Sequence, residues 1–408
     1  MSSLPTNFRV LRLDPSAKLP FPKFFLNFGF KKINYSWFNH LIEEYDSFSS
    51  CDEYEVIVEV LAVSVCNTDI QEVLKRGVRT KNSKKRRGNI YLGHEVVGKV
   101  THLGTNVKNL QIGDQVCVGD FDSCRSFGIT PVCDFCNQGK GILCTEKGKR
   151  IFKKDSFGAY SDFFKRSSYQ LIKINSSIDL KSATLIEPAA IANYSIRKAN
   201  IKNGQTVLIL GCGLIGIILI RLLRLHFSDT IKITCFSKTQ QHLNIAKSSG
   251  ANMVASAFSE LETLDGRLIP NEFIRSTGFD IVYDFIGNEY SIEKGINYLT
   301  PGGCFYELAF PDKKVAIPVA EFVGKEISLY GVHGYEGSSQ IYTKNDFKII
   351  EDLLLNKKIT LNDLISDEIK LTEIKKMLIC ESLNKILPNK IIKSLGDLRS
   401  LALKDDLF

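Results

Sequence analysis

The chain has 408 residues, 44% of them hydrophobic and 24% charged, the proportions of a globular protein with room for two ordinary domains and their cores. No apolar run reaches the roughly 18 residues that cross a bilayer, and Met1-Ser2-Ser3-Leu4-Pro5-Thr6-Asn7 lacks the basic and apolar stretches of a secretory leader. No membrane partner and a cytoplasmic location are therefore expected. The formal charge of +8 comes from eight cations between Lys75 and Arg87 with no acid among them. That loop has no interleaved aromatic, which argues against nucleic acid and leaves a solvated loop or a contact for an anionic, phosphorylated substrate.

Along the chain, the aromatic patch Phe21–Phe30 reads as an edge strand or docked loop rather than an interface. The strand-like Glu55–Val63 leads into Cys66-Asn67-Thr68-Asp69. After the basic loop comes Tyr91-Leu92-Gly93-His94-Glu95-Val96-Val97-Gly98. Next is a C-x-x-C, Cys133-Asp134-Phe135-Cys136, with Cys144 beyond it and Cys124 upstream. Eleven cysteines without a leader point to reduced thiols and metal rather than disulfides. Four thiolates from one short segment can surround Zn²⁺ tetrahedrally and staple a lobe, about residues 117–148, with little apolar content of its own; a redox pair is the alternative. Leu185-Ile186-Glu187-Pro188-Ala189-Ala190 follows. A thiolate at Cys66, an imidazole at His94 and a carboxylate are suitable zinc ligands, and three of them leave a fourth position open for catalysis.

The apolar strand pattern Gln205–Leu210, the turn Gly211-Cys212-Gly213-Leu214-Ile215-Gly216 and the apolar helix pattern Ile217–Leu223 form the context in which G-x-G-x-x-G signifies dinucleotide binding. The first glycine makes the turn and the second admits a pyrophosphate. The third packs helix on strand, and the helix N-terminus faces the anion with free N–H groups. The next strand, Ile231–Phe236, ends in Ser237-Lys238-Thr239, with no acid to hold a ribose 2′-hydroxyl. A hydroxyl and an ammonium there favour a 2′-phosphate, so NADP is expected over NAD. Strands over Phe279–Phe285, with the turn Ile286-Gly287, then Gly303–Leu308 and Ile327–Val332, alternate with helical segments Gln241–Gly250 and Ile292–Leu299. They predict an α/β, doubly wound parallel sheet.

Taken together, these segments resemble the zinc-containing medium-chain alcohol and polyol dehydrogenases over roughly residues 45–395. The resemblance rests on Gly93-His94-Glu95 with Val97-Gly98, the Cys66–Asp69 segment, the cysteine lobe and the glycine fingerprint. Gly158-Ala159-Tyr160-Ser161-Asp162-Phe163 is similar to the family's G-x-F-A-E-Y, and Gly302-Gly303 to its later glycine pair. The resemblance implies a GroES-like, mainly β catalytic domain over 1–188, a Rossmann domain over 189–335, and a return segment over 336–408. It implies that Cys66 and His94 hold a catalytic zinc. The third ligand is Glu187, as in the sorbitol, threonine and sugar dehydrogenase branch, or Glu95. Asp69 then orients a ligand and Thr68 relays a proton, while Cys124, Cys133, Cys136 and Cys144 hold a structural zinc. The cofactor is expected on Gly211, Gly213, Leu214, Ile215, Gly216, Ser237, Lys238, Ile286 and Gly287, with the substrate between the domains and the chain a homodimer or homotetramer. The expected reaction is hydride transfer between NADP(H) and a secondary alcohol or ketone: a polyol, sugar alcohol, cyclitol or sugar phosphate. The alternatives are a zinc-independent double-bond or quinone-type reductase and a non-catalytic dinucleotide-binding protein on the same fold.

Overall fold

The computed structural model describes residues 3–13, 41–75, 90–119, 122–146, 158–263, 278–311, 314–335, 345–386 and 400–407. The aromatic patch at 21–30 and the basic loop beyond Lys75 lie outside them. The chain forms two compact units, one of Met1–Glu187, Gly337–Phe347 and Leu361–Phe408, the other of Pro188–Glu336 and Lys348–Thr360.

The first unit opens with strands β1 (Phe8–Leu13) and β2 (Leu41–Asp46), followed by β3 (Glu55–Ser64), helix α1 (Asn67–Lys75) and β4 (Ile90–Tyr91). Then come β5 (Glu95–Leu103), β6 (Gln115–Val118), the short helix α2 (Asp134–Asn137), β7 (Phe163–Ser167), β8 (Leu171–Lys173) and helix α3 (Leu180–Thr184). Helix α4 (Ile186–Ala199) crosses into the second unit. There β9 (Thr206–Leu210), α5 (Leu214–Phe227), β10 (Lys232–Phe236), α6 (Gln240–Ser248), β11 (Met253–Ala255), β12 (Phe279–Asp284), β13 (Leu299–Glu307) and β14 (Ser328–Gly331) follow. The chain then returns to the first unit with β15 (Asp367–Lys370) and β16 (Ser400–Leu403).

In the first unit β3 is the organising strand. Val56, Ile57, Val58, Val60, Ala62 and Val63 along it are all fully buried, which a strand achieves only when covered on both faces. It pairs antiparallel with β5, β7 and β16 in a sheet of order β15-β16-β3-β5-β6-β8, while β1, β2 and β4 form a separate three-stranded sheet. The β3–β5 register sets Ser64 opposite Glu95. Cys66 comes two residues after Ser64 and His94 one residue before Glu95, so with that pairing both lie at the same end of the sheet.

The second unit is a parallel sheet of order β11-β10-β9-β12-β13-β14, the doubly wound arrangement in which the strand order reverses between β9 and β12. Val207, Leu208, Ile209 and Leu210 of β9 have no exposure, as a central parallel strand requires. Helix α5 is apolar on nearly every side, with Ile217, Ile218, Leu219, Ile220, Leu222 and Leu223 fully buried. The core of this unit gathers Leu208, Leu210, Phe236, Val282, Ile296 and Phe305.

Candidate active site

The end of β3 and the start of β5 build the first part of the site. The chain leaves β3 through Val65 and turns into α1 at Cys66, whose carbonyl accepts from the Asp69 and Ile70 amides at 3.1 and 3.3 Å. Thr68 is half-buried on the first turn of α1, and Asp69 is buried beside it. Gly93 precedes His94 at φ +84°, a conformation that glycine adopts without strain. A Cβ on Gly93 would also stand 2.9 Å from Tyr160 Cδ1, so glycine is required here twice over.

Among the described residues, the ligand atoms of Cys66, His94 and Glu95 lie within 4.8 Å of one another. Glu95 is 1% exposed, and its carboxylate accepts from the Ser64 hydroxyl across the register pair. His94 Nδ1 lies 3.7 Å from Asp69 Oδ1, which also accepts from the Gly93 amide at 3.1 Å, while Asp69 Oδ2 accepts from the Tyr160 hydroxyl at 2.8 Å. Burial alone raises the Asp69 pKa, but the charge of His94 and hydrogen bonds from His94, Tyr160 and Gly93 bring it below the usual carboxylate value. Burial works against the His94 proton, yet Asp69 and Cys66 on either side hold its pKa well above the ordinary 6.5. The donor set is a thiolate, an imidazole and a carboxylate, with a carboxylate behind the imidazole. It suits zinc in a site with an open position. Glu187 lies in the first turn of α4, only 9% exposed, and is not one of the three clustered groups.

Cys124, Cys133, Cys136 and Cys144 also come within 4.8 Å of one another. Their sulfurs stand 3.6 Å apart for Cys124–Cys144 and 4.0 Å for Cys133–Cys144. Four sulfurs about 2.3 Å from one tetrahedral zinc would be about 3.8 Å apart, whereas a disulfide needs about 2 Å. The spacing fits four thiolates around one ion. Backbone amides bond the sulfurs: Cys124 N to Cys136 Sγ at 3.4 Å and Cys133 N to Cys124 Sγ at 3.5 Å. Burial pushes the Cys124 and Cys136 thiols up. Burial acts the same way on Cys133, but amide hydrogen bonds from Cys136 and Thr145 bring it down to about 6. A thiolate in such a cluster is ready for metal.

The second unit presents the fingerprint at the carboxyl end of β9. Gly211 has φ +94°, a Cβ on Gly216 would meet the Gly211 carbonyl at 2.7 Å, and beside Gly213 there is open space. That is the division of labour expected of turn, packing and ligand-approach glycines. Gly213 caps α5, whose first turn carries Leu214 and Ile215. Ile286 packs against Gly211, its Cγ1 3.1 Å from where a Cβ would stand, and the Ile286 and Gly287 amides donate to Asp284 Oδ1 at 2.7 and 3.3 Å. At the end of β10, Ser237 is buried, its hydroxyl accepts from the Thr239 amide at 3.2 Å, and Lys238 is exposed. Asp284 and Glu307, at the same end of β12 and β13, are register partners that no sequence motif singles out. Ser64 and Tyr160 are equally unmarked; the one available signal is that Tyr160 stands where the G-x-F-A-E-Y motif carries phenylalanine.

Comparison with known proteins gives two family matches: the alcohol dehydrogenase GroES-like domain over residues 52–176 and the zinc-binding dehydrogenase domain over 215–354. D-xylulose reductase A of Aspergillus oryzae is 26% identical over 317 residues, covering 77% of this chain and 83% of that protein. L-idonate 5-dehydrogenase of Vitis vinifera is 24% identical over 317 residues, covering 78% and 81%. Among solved structures, acetophenone reductase from Geotrichum candidum in complex with NAD superposes with a TM-score of 0.72 at 18% identity, with all of both chains covered. That likeness bears on the fold.

Proposed function

Because this chain belongs to the zinc-containing medium-chain alcohol and polyol dehydrogenase family and is thus an oxidoreductase of the alcohol type, we propose that it transfers hydride between NADP(H) and a secondary alcohol or ketone of the polyol, sugar alcohol, cyclitol or sugar phosphate class. The observation that carries the proposal is the convergence of Cys66, His94 and Glu95 at one end of the β3–β5 pair. We assign these three as ligands of a catalytic zinc, preferring Glu95 to Glu187 because Glu95 belongs to the cluster. When bound, the zinc supplies a Lewis acid for the substrate oxygen, and the nicotinamide gives or takes the hydride. Asp69 orients the His94 ring, and Ser64 holds the Glu95 carboxylate. Thr68, two residues past Cys66, carries the hydroxyl that passes the substrate proton toward solvent. Cys124, Cys133, Cys136 and Cys144 hold a second, structural zinc. The fingerprint glycines with Leu214, Ile215, Ile286 and Gly287 bind the dinucleotide, and Ser237 and Lys238 receive its 2′-phosphate.

The NADP preference is supported by a hydroxyl and an ammonium at the end of β10, where a carboxylate would repel the phosphate. Titration of nicotinamide fluorescence tests it: NADPH should bind more tightly than NADH, and Ser237→Asp should shift preference toward NADH. NADH binding at least as tightly to the wild type overturns the assignment. A homodimer or homotetramer fits the outer edge of the parallel sheet, where β14 is the last strand among the described residues and its Leu329 and Tyr330 are 39% and 46% exposed.

The reaction is tested by following NADP(H) absorbance over polyols, cyclitols, sugar phosphates and their ketones, with and without a zinc chelator. The cations of 75–87 are the reason to include phosphorylated polyols. Turnover that the chelator abolishes and zinc restores is the expected result. Chelator-resistant reduction of a conjugated double bond would instead identify a zinc-independent reductase. Dinucleotide binding without turnover would indicate a non-catalytic protein.

A further inference from the structure

Tyr160 is wholly buried, and a phenol in that position is chemically conspicuous. A buried hydroxyl is costly unless it is bonded, and phenylalanine would fill the same volume without that demand. The Tyr160 hydroxyl has two acceptors: Asp69 Oδ2 at 2.8 Å and, more distantly, the Ser64 carbonyl at 3.5 Å. Its ring lies against Gly93, and its amide donates to the Leu92 carbonyl at 3.3 Å. Tyr160 therefore touches three segments around the clustered ligand groups: α1 at Asp69, the turn at Gly93 beside His94, and the end of β3 at Ser64, the register partner of Glu95.

We propose that Tyr160 is a positioning residue for the metal site, its hydroxyl fixing Asp69 so that the other carboxylate oxygen is presented to His94. With Oδ2 occupied by the phenol, Oδ1 is left to the Gly93 amide and to His94 Nδ1. That arrangement assigns the Nδ1 side of the ring to Asp69 and leaves Nε2 for the ion. A carboxylate behind a ligating histidine sets ring orientation and tautomer and increases the basicity of the ligand. Loss of the phenol frees Asp69 to rotate about its side-chain torsions, and the ring loses its fixed partner. Burial and the Asp69 charge push the phenol pKa up, the direction that keeps it a donor.

The inference rests on the catalytic-zinc reading above, and the experiment separates the two. Zinc is titrated into metal-free full-length chain against a chromophoric chelator, and the Cys66→Ala chain identifies which equivalent belongs to the lobe. Tyr160→Phe removes one oxygen and keeps the ring. It should weaken the Cys66-dependent zinc by about 10- to 100-fold and leave the lobe zinc unchanged. With cobalt(II) in place of zinc, its visible spectrum should shift. A double-mutant cycle with Asp69→Asn distinguishes positioning from general support of the fold: once Asp69→Asn is in place, adding Tyr160→Phe should have no further effect on affinity. Unchanged affinity and an unchanged cobalt spectrum in Tyr160→Phe, or full additivity in the cycle, overturns the positioning role alone. A wild type that takes up zinc only in the lobe overturns the catalytic-metal reading, and this inference with it.

Discussion

Asp69 in the first unit and Glu307 in the second are both carboxyl groups withdrawn from water, and their surroundings drive them in opposite directions. Asp69 is more deeply buried, yet its pKa is lowered because His94, the Tyr160 hydroxyl and the Gly93 amide converge on its two oxygens. Glu307 is raised to about 8, by burial first and then by the negative charge of Asp284, its register partner on β12. The Ala309 amide donates to Glu307 Oε1 at 2.8 Å, while Oε2 is buried without a partner among the described residues. Asp284 is itself raised by burial, despite bonds from Ser291, Ile286 and Gly287. Burial pushes all three carboxyls up, and only at Asp69 do the groups aimed at its oxygens together outweigh it.

Removing the favoured carboxylate gives the larger effect. Asp69→Ala strands the Tyr160 hydroxyl and the Gly93 amide in the interior beside His94, and should destabilise the first unit by about 3 kcal/mol or more. Denaturant midpoints of the metal-free chains measure this, and a loss below about 1 kcal/mol would break the contrast on the Asp69 side.

A smaller, pH-dependent effect belongs to Glu307. In the folded chain it keeps its proton up to about pH 8, whereas an unfolded glutamate releases it near 4.5. A raised carboxyl pKa favours the folded state most fully below the unfolded value. That contribution fades as the pH rises and is gone above about 8. Between about pH 6 and about pH 9 the second unit should lose about 1–2 kcal/mol, less than the full linkage because Glu307 is partly exposed. Glu307→Gln, which resembles the protonated form, should flatten that slope and be the more stable protein at about pH 9. Calorimetric melting of both chains across this range is the measurement, and identical slopes would show that the Glu307 pKa is not raised in the folded chain.

The contrast also marks what could be read in the sequence. The doubly wound sheet was legible because its signals are local: an apolar strand, three glycines with separate tasks, and an apolar helix in unbroken succession. The four cysteines were legible for the same reason, lying within one short segment. Which carboxylate joins the Cys66 and His94 cluster stayed open between Glu95 and Glu187, because only the β3–β5 register states that Ser64 faces Glu95. Tyr160 and Asp69 meet across 91 positions of sequence, and Asp284 meets Glu307 through strand alignment. No periodicity encodes either pairing. Both depend on which strand lies beside which, and that is settled by packing over the whole unit.

Helix α5 has a consequence of its own. Leucine and isoleucine side chains are buried along most of its length, which anchors the helix behind its leading tip. A dinucleotide docking at that tip, as proposed, would find a receptor held by its own core, and the freedom lost on docking would be correspondingly small.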